Sequence, residues 1–178
     1  MNEASVRLEV HRMLRYVYGL WPDHWPDIKG VKQPGRPDLV VMNPLGPGYY
    51  VEVKVLNPRQ SKSFKFDAIE DSQRCWLSTW EQVRCNGSYL AIGTVNIGNR
   101  GIWLIPWAEW LQIEERVNEY AHYLPYKAER GTLISLQENR FDFRLISHYQ
   151  LLHHDTYKWR MPHHLEESWG LHPLQKAS

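Results

Sequence analysis

Two apolar segments joined by a Pro/Gly-rich turn constrain the fold of this chain more than any other feature. The first segment runs from Leu39 to Met42, the turn reads N-P-L-G-P-G, and the second segment runs from Tyr49 to Leu56. Short apolar runs that are bounded by proline and glycine are typical of buried β-strands. The pattern therefore predicts two neighbouring strands inside a sheet.

The second predicted strand carries two charged residues, Glu52 and Lys54. Because side chains alternate between the faces of a strand, both project from one face and the neighbouring valines project from the other. Asp38 immediately precedes the first strand, so two carboxylates and an ammonium group can meet at one end of the sheet. Such a group can bind a divalent cation and orient a water molecule for attack on a phosphodiester. Taken alone, an E-x-K strand is equally typical of a solvated ion-pair face.

The periodicity of the other segments predicts an α/β protein with a central mixed β-sheet flanked by helices. Apolar residues at helical spacing predict helices over residues 3–18 and about 68–84. Asp67 is the predicted N-cap of the second helix, and Glu70 completes a capping box. Three further elements are predicted: strands from Ser88 to Val95 and from Gly101 to Ile105, and a helix that starts at Pro106.

Length and composition limit the class of protein. The 178 residues carry a net charge of +1, and no apolar run approaches the roughly 20 residues of a membrane span. Cys75 and Cys85 fit neither a disulfide framework nor a zinc knuckle, which favours buried or idle thiols and a cytoplasmic location. We expect a core domain over residues 1–125, and a C-terminal extension over residues 126–178 that serves oligomerisation or DNA contact.

A glutamine interrupts the apolar stripe of the second predicted helix. The stripe consists of Ile69, Trp76, Leu77, Trp80 and Val83, and Gln73 lies in its middle. A glutamine on a buried stripe needs hydrogen-bond partners, and a carboxylate cluster would supply them. The alternative is a core glutamine that is satisfied elsewhere.

Basic segments without acidic residues lie on both sides of the Asp38, Glu52 and Lys54 group. Phosphate contacts near a cutting site would require such segments, although basic loops also arise by chance. The residues that we expect to hold the DNA backbone are Arg36, Arg59, Lys62 and Lys65.

These residues together resemble the PD-(D/E)xK nuclease superfamily. The P-D pair matches Pro37-Asp38, and the E-x-K triplet matches Glu52-Val53-Lys54. The continuation resembles the Holliday-junction resolvases of the RecU and Hjc type, in which a Ser-Phe segment precedes an isoleucine and a helical glutamine. The matching positions are Ser63-Phe64, Ile69 and Gln73, and the later W-L-I-P-W-A-E-W segment also resembles RecU. The resemblance covers about residues 3 to 112.

The resemblance implies a restriction-endonuclease-like core with the element order αβββαβ and a metal-dependent active site. Asp38, Glu52 and the backbone carbonyl of Val53 would bind Mg²⁺ or Mn²⁺, which favour oxygen ligands. A glutamate of the first helix would complete the metal shell, and both Glu9 and Glu3 remain candidates.

The remaining roles that the resemblance implies concern the water nucleophile. Lys54 would orient the attacking water or help to deprotonate it, and Gln73 would position that water or Lys54. The expected reaction is structure-selective cleavage of branched DNA by a homodimer, because a resolvase cuts two strands symmetrically.

Other functions fit the same sequence. A restriction-type or phage DNA-processing nuclease would use this core on linear or single-stranded DNA, and a non-catalytic DNA-binding module would keep the fold alone. A metal site in the C-terminal region is a third alternative, although adjacent histidine pairs lack the usual helical ligand spacing. The histidines in question are His153, His154, His163, His164 and His172.

Overall fold

The structure, a computed structural model, describes residues 2–24, 35–43, 46–55, 63–84, 87–96, 99–123, 140–142, 150–153 and 158–159. Within these residues the helices are α1 (Glu3–Tyr18), α2 (Asp71–Val83) and α3 (Trp107–Tyr123), and a 3-10 turn spans Phe66–Ala68. The strands are β1 (Trp21–His24), β2 (Leu39–Asn43), β3 (Gly46–Val55), β4 (Ser63–Lys65), β5 (Ser88–Asn96), β6 (Asn99–Pro106), β7 (Arg140–Asp142), β8 (Gln150–His153) and β9 (Lys158–Trp159).

The described strands form a mixed sheet in the order β1-β2-β3-β5-β6-β8-β9, and β4 pairs separately with β7. Strands β1, β2 and β3 are antiparallel neighbours. Strand β5 runs parallel to β3, with α2 as the connection that a parallel pair requires. With β4 set aside because it belongs to the second sheet, the order α1-β1-β2-β3-α2-β5 is the predicted αβββαβ order. The α/β class with helices flanking a mixed sheet is confirmed.

Helix α1 has the predicted limits because both of its ends are capped. The side chain of Asn2 accepts a hydrogen bond from the amide of Ser5 at 2.8 Å, which satisfies a free N–H of the first turn. Gly19 ends the helix in the left-handed conformation, at φ 66°. The apolar side of α1 covers one face of the sheet with four fully buried side chains: Val6, Val10, Met13 and Leu14.

Helices α2 and α3 cover the opposite face of the sheet. Leu77, Trp107 and Trp110 are buried against a second apolar cluster that includes Leu90 and Ile92 of β5. Alternate residues of β5 therefore belong to the two apolar clusters on opposite faces of the sheet. The residues of β3 on this second face include Glu52, which lies opposite Leu90 in the parallel register.

The predicted capping box of the second helix is wrong by one turn. The N-cap is Glu70 and its capping-box partner is Gln73, so α2 begins at Asp71. Residues 66–68 form the 3-10 turn instead, because the side chains of Phe66 and Ile69 are both buried there. Pro106 is likewise the last residue of β6, and α3 begins one residue later.

The predicted apolar stripe of α2 is also partly wrong. Leu77 is buried, but Trp76 is 38% exposed and Val83 is 70% exposed. The helix touches the sheet along a narrow line, so residues one position away from Leu77 or at the last turn remain in contact with solvent. Trp80 is half-buried and packs on Tyr50 of β3 with ring centroids 4.7 Å apart.

Several strands lie outside the segments that the sequence pattern predicts as strands. Strand β1 lies between the first predicted helix and the first predicted strand, and β4 lies in one of the basic segments. Strand β8 pairs with β6, so part of the region after residue 125 extends the main sheet. The division into a core and a C-terminal extension stays a prediction. The sequence also predicts short strands over residues 133–136 and 141–146. The first lies outside the described residues, and of the second only residues 141–142 are described, as part of β7.

The structure also bears on membrane-spanning helices and on the two cysteines. No helix in the part of the chain that the structure describes is long and apolar enough to cross a membrane. Cys75 is exposed on α2 rather than buried, whereas Cys85 lies outside the described residues.

Gly35 holds the segment before β2 against the start of α2. Its φ of 86° lies in the left-handed region, where side chains are strained. A Cβ at this position would lie 2.6 Å from both the carbonyl carbon and the Cβ of Ser72. Only glycine therefore allows this segment, which leads to Asp38, to touch the backbone of α2.

We expect Gly35→Ala to destabilise the protein by about 1–3 kcal/mol, because both the backbone conformation and the contact with Ser72 become unfavourable. Urea denaturation measures this change in the free energy of unfolding. Gly35→Asn is the matched variant, since asparagine tolerates a positive φ but still carries a Cβ. If the close contact matters, both variants lose stability; an Asn variant as stable as wild type would show that the contact is unimportant.

Candidate active site

Asp38 lies immediately before β2, and both of its carboxylate oxygens have partners. The amide of Val53 donates to Oδ2 at 2.9 Å, and Nη1 of Arg7 lies 3.1 Å from Oδ1. Strand β2 pairs with β3 from Leu39, which lies opposite Val51. Asp38 therefore bonds to the edge of β3 just beyond the end of the β2 ladder.

Glu52 lies on the same part of β3, and its side chain is only 1% exposed. Its Oε1 accepts a hydrogen bond from Nε2 of Gln73 at 2.5 Å and lies 3.0 Å from Nζ of Lys54. Its Oε2 is buried and has no hydrogen-bond partner among the described residues. Buried carboxylate oxygens without partners are rare, so Oε2 is the atom at which a further ligand is expected.

Gln73 points at Glu52 because the capping box fixes its amide. Its Oε1 accepts a hydrogen bond from the backbone N–H of Glu70 at 3.0 Å, which leaves Nε2 free to donate to Glu52. The same side chain therefore caps α2 and contacts the buried carboxylate. The contact that the sequence predicts between Gln73 and a carboxylate is thus the hydrogen bond from Gln73 to Glu52.

The start of α2 is further anchored by Arg74. Its guanidinium donates to the carbonyl oxygens of Phe66 at 2.6 Å and of Ile69 at 3.1 Å. It also forms a two-point contact with Glu114 of α3, at 2.7 and 2.6 Å. Paired Arg–carboxylate contacts of this kind fix orientation as well as distance. The 3-10 turn, α2 and α3 are thus held together beside Gln73.

Lys54 is 11% exposed and shares the face of β3 that carries Glu52, as strand alternation predicted. The pKa of Glu52 is raised to about 8: burial is the largest cause, the charge of Asp38 acts in the same direction, and Lys54 opposes both. Glu3 also contributes a small increase to the pKa of Glu52, so its charge is felt at the site.

Glu3 and Glu9 have different surroundings on α1. Glu3 affects Glu52 electrostatically, as described above, whereas Oε1 of Glu9 lies 3.6 Å from Nη1 of Arg12. The charge of Glu3 therefore acts on the pKa of Glu52, whereas Glu9 has a partner on the surface of α1.

The oxygen atoms at this site suit a hard divalent cation. Within the described ranges, no three His, Cys, Asp or Glu side chains form a group that could hold a metal by themselves. The site instead offers Asp38, Oε2 of Glu52 and the main chain of Val53. The amide of Val53 points to Asp38, and the carbonyl of a strand residue points to the same side as its amide. Few protein ligands, all of them oxygen, suit Mg²⁺ or Mn²⁺, which keep several waters.

A search of solved structures found similarity to Hjc, a Holliday junction resolvase from the archaeal hyperthermophile Archaeoglobus fulgidus. The TM-score is 0.43 and the sequence identity is 16%, over 59% of this chain and 77% of that chain. No protein-family model and no curated protein matches the chain.

The other predicted site residues are less completely described. Arg36 is half-buried and lies two residues before Asp38 in the sequence. The backbone of Lys65 belongs to β4. Arg59 and Lys62 lie outside the described residues, as do all of the C-terminal histidines except His153 in β8.

Arg7 is not among the site residues that the sequence pattern predicts. Its guanidinium lies 3.1 Å from Oδ1 of Asp38, although the two residues lie in different parts of the sequence. One pattern could have indicated it: Arg7 follows Glu3 by one helical turn, so the two side chains share a side of α1.

The pKa of Glu52 predicts a pH-dependent stability. An ordinary carboxyl pKa is 4.5, and that of Glu52 in the metal-free fold is about 8. Between these values the folded protein retains a proton that the unfolded chain has lost, so the free energy of unfolding falls as the pH rises. We expect Glu52→Gln to weaken this dependence by up to about 1.4 kcal/mol per pH unit. Urea denaturation at pH 5 and pH 8 measures it; an identical pH dependence in both proteins would contradict the assignment.

Proposed function

We propose that this protein is a metal-dependent endodeoxyribonuclease that hydrolyses DNA phosphodiesters. The observation that carries the proposal is the carboxylate of Glu52, which is buried beside the point where the β2–β3 ladder stops. Its Oε2 has no hydrogen-bond partner in the part of the chain that the structure describes. Burying a carboxylate is unfavourable unless its oxygens are bonded to donors or to a metal. The nearby Asp38 and Lys54 make a phosphodiesterase site the best explanation of that arrangement.

Asp38, Glu52 and the carbonyl of Val53 are the proposed ligands of Mg²⁺ or Mn²⁺. When bound, such a cation lowers the pKa of water and offsets the charge that develops on the scissile phosphate. The chain's own contribution is to keep the ligands in place. Oε1 of Glu52 is held by Gln73 and Lys54, so the rotation of the carboxylate is restricted and Oε2 is directed away from these donors.

Lys54 is the proposed catalytic cation. Its Nζ is 3.0 Å from Glu52 and its side chain is 11% exposed, so little water competes for its hydrogen bonds. From this position Nζ can orient the attacking water and donate to a phosphate oxygen as negative charge develops on it. Gln73 is a positioning residue, because its amide contacts Glu52 and is itself fixed by the cap of α2.

Branched DNA is the proposed substrate. The support is the sequence resemblance to the resolvases, in which Ser63-Phe64, Ile69 and Gln73 match. In the structure Phe64 of β4 pairs with Phe141 of β7, and Ile69 is buried next to α2. The DNA backbone contacts are assigned to the basic residues Arg36, Arg59, Lys62 and Lys65, and symmetric cleavage of a junction implies a homodimer.

We expect purified wild-type protein with Mg²⁺ to cut a synthetic four-way junction into paired, symmetric nicks. Asp38→Asn and Lys54→Met should each lower the cleavage rate by about 100-fold or more, because each removes a charge at the reacting phosphate. Arg12→Gln, which removes an exposed cation from α1, is the control and should cut normally. Circular dichroism and light scattering would check that the variants fold and whether the protein is a dimer.

The substrate panel should also contain a flap, a linear duplex and a single strand. Equal cleavage of all four by a monomer would replace the resolvase assignment with a restriction-type or phage DNA-processing nuclease. DNA binding without any cleavage in Mg²⁺ or Mn²⁺ would indicate a non-catalytic module of the same fold. Cleavage by purified Asp38→Asn protein at the wild-type rate would refute the proposed active site.

Glu3 is the proposed helical glutamate of the site. We expect Glu3→Gln to reduce the cleavage rate by about 10-fold, and Glu9→Gln to leave it near the wild-type value. The reason is that the charge of Glu3 reaches Glu52, whereas Glu9 pairs with Arg12 at 3.6 Å. Single-turnover cleavage of the junction at saturating Mg²⁺ measures the difference. The reverse ranking of the two variants would assign the role to Glu9.

A further inference from the structure

Each carboxylate of the site has one oxygen bonded to donors close to the sheet, and the two carboxylates differ at the other oxygen. In Glu52, Oε1 contacts Gln73 and Lys54, and Oε2 is buried without a partner in the described structure. In Asp38, Oδ2 accepts the amide of Val53, but Oδ1 lies 3.1 Å from Arg7. The chain thus leaves one oxygen of Glu52 open and covers the corresponding oxygen of Asp38 with a guanidinium.

Arg7 is well placed to leave Asp38 again. Its side chain is 36% exposed, and it contacts Asp38 through one nitrogen, Nη1. Partly exposed ion pairs of this kind contribute little net stability, because water and salt compete with the partner. A divalent cation attracts the same oxygen with twice the charge. The contact is therefore strong enough to neutralise Asp38 and weak enough to be displaced.

We propose that Arg7 is a placeholder cation, which occupies Oδ1 of Asp38 in the metal-free protein and is displaced when a divalent metal binds. This inference rests on the proposed function, since it requires Asp38 to be a metal ligand. Arg7 is a positioning residue that keeps the carboxylate oriented towards the site. It also sets the metal affinity, because metal and guanidinium compete for one oxygen.

The sign of a mutational effect separates this role from a purely structural one. If Arg7 only supports Asp38, removing the guanidinium disorders the ligand and weakens metal binding. If Arg7 competes with the metal, removing it strengthens metal binding. Arg12 provides a matched control, since it is an exposed α1 arginine that pairs with a carboxylate, Glu9, by an (i,i+3) contact.

The test measures Mn²⁺ binding to the full chain without DNA, from the electron paramagnetic resonance signal of free Mn²⁺. We expect Arg7→Gln to bind Mn²⁺ about three- to fivefold more tightly than wild type, the change that corresponds to loss of a partly exposed ion pair. Arg7→Lys keeps the charge and should bind within about twofold of wild type, as should Arg12→Gln. Unchanged or weaker binding by Arg7→Gln would overturn the proposal.

Asp38→Asn distinguishes failure of this inference from failure of the proposed function. If wild type binds Mn²⁺ and Asp38→Asn does not, the metal site stands, and the Arg7 variants alone decide the present proposal. If wild type and Asp38→Asn bind Mn²⁺ equally, or neither binds it, both proposals fail. Should Arg7→Gln not fold, Arg7→Met retains the length of the aliphatic stem without charge and carries the same expected increase in affinity.

Discussion

The buried carboxylate of Glu52 is the constraint on which the arrangement of the site depends. A carboxylate that is 1% exposed loses most of its hydration, and only donors or a cation can replace it. Among the described residues, donors reach Oε1 but not Oε2; they are Lys54 of the same strand and Gln73 of α2. Burial and the charge of Asp38 raise the pKa of this group to about 8.

This arrangement depends on where the pairing of β2 with β3 stops. Because the ladder does not extend beyond Leu39, the next amide of β3 that faces β2, that of Val53, is available to Asp38. Gly35 lets the preceding segment approach Ser72 closely enough to deliver Asp38 at that point. The cap of α2 then directs Gln73 to the same end of the sheet. Stability of the helix start and geometry of the site are therefore coupled, since one glutamine serves both.

Local periodicity made much of this arrangement predictable. The alternation in β3 placed Glu52 and Lys54 on one face, and apolar spacing with Gly19 defined α1. The start of α2 was mispredicted because D-A-I-E also satisfies the capping-box pattern. The choice between the two starts is made by tertiary contacts, the burial of Phe66 and the hydrogen bonds of Arg74 to the turn.

Periodicity within one helix or strand does not predict contacts between residues that are far apart in the sequence. No local rule connects Arg7 with Asp38, because the ion pair exists only when α1 lies on the sheet beside the start of β2. Exposure of Trp76 and Val83 was mispredicted for a related reason. A helical stripe shows which side of a helix is apolar, but the width of the buried face depends on the curvature and extent of the sheet beneath it.

The charges of the site imply an order of events. The site cluster, defined as Asp38, Glu52, Glu3, Lys54 and Arg7, holds three carboxylates and two cations, so it is negative when all five are ionised. A DNA phosphate would be repelled by such a cluster at close range. The raised pKa of Glu52 allows a proton to offset part of this excess, and Arg7 offsets Asp38. In the proposed site a divalent cation would replace both and, together with Lys54, balance the three carboxylates. Metal binding should therefore precede or accompany the approach of the scissile phosphate.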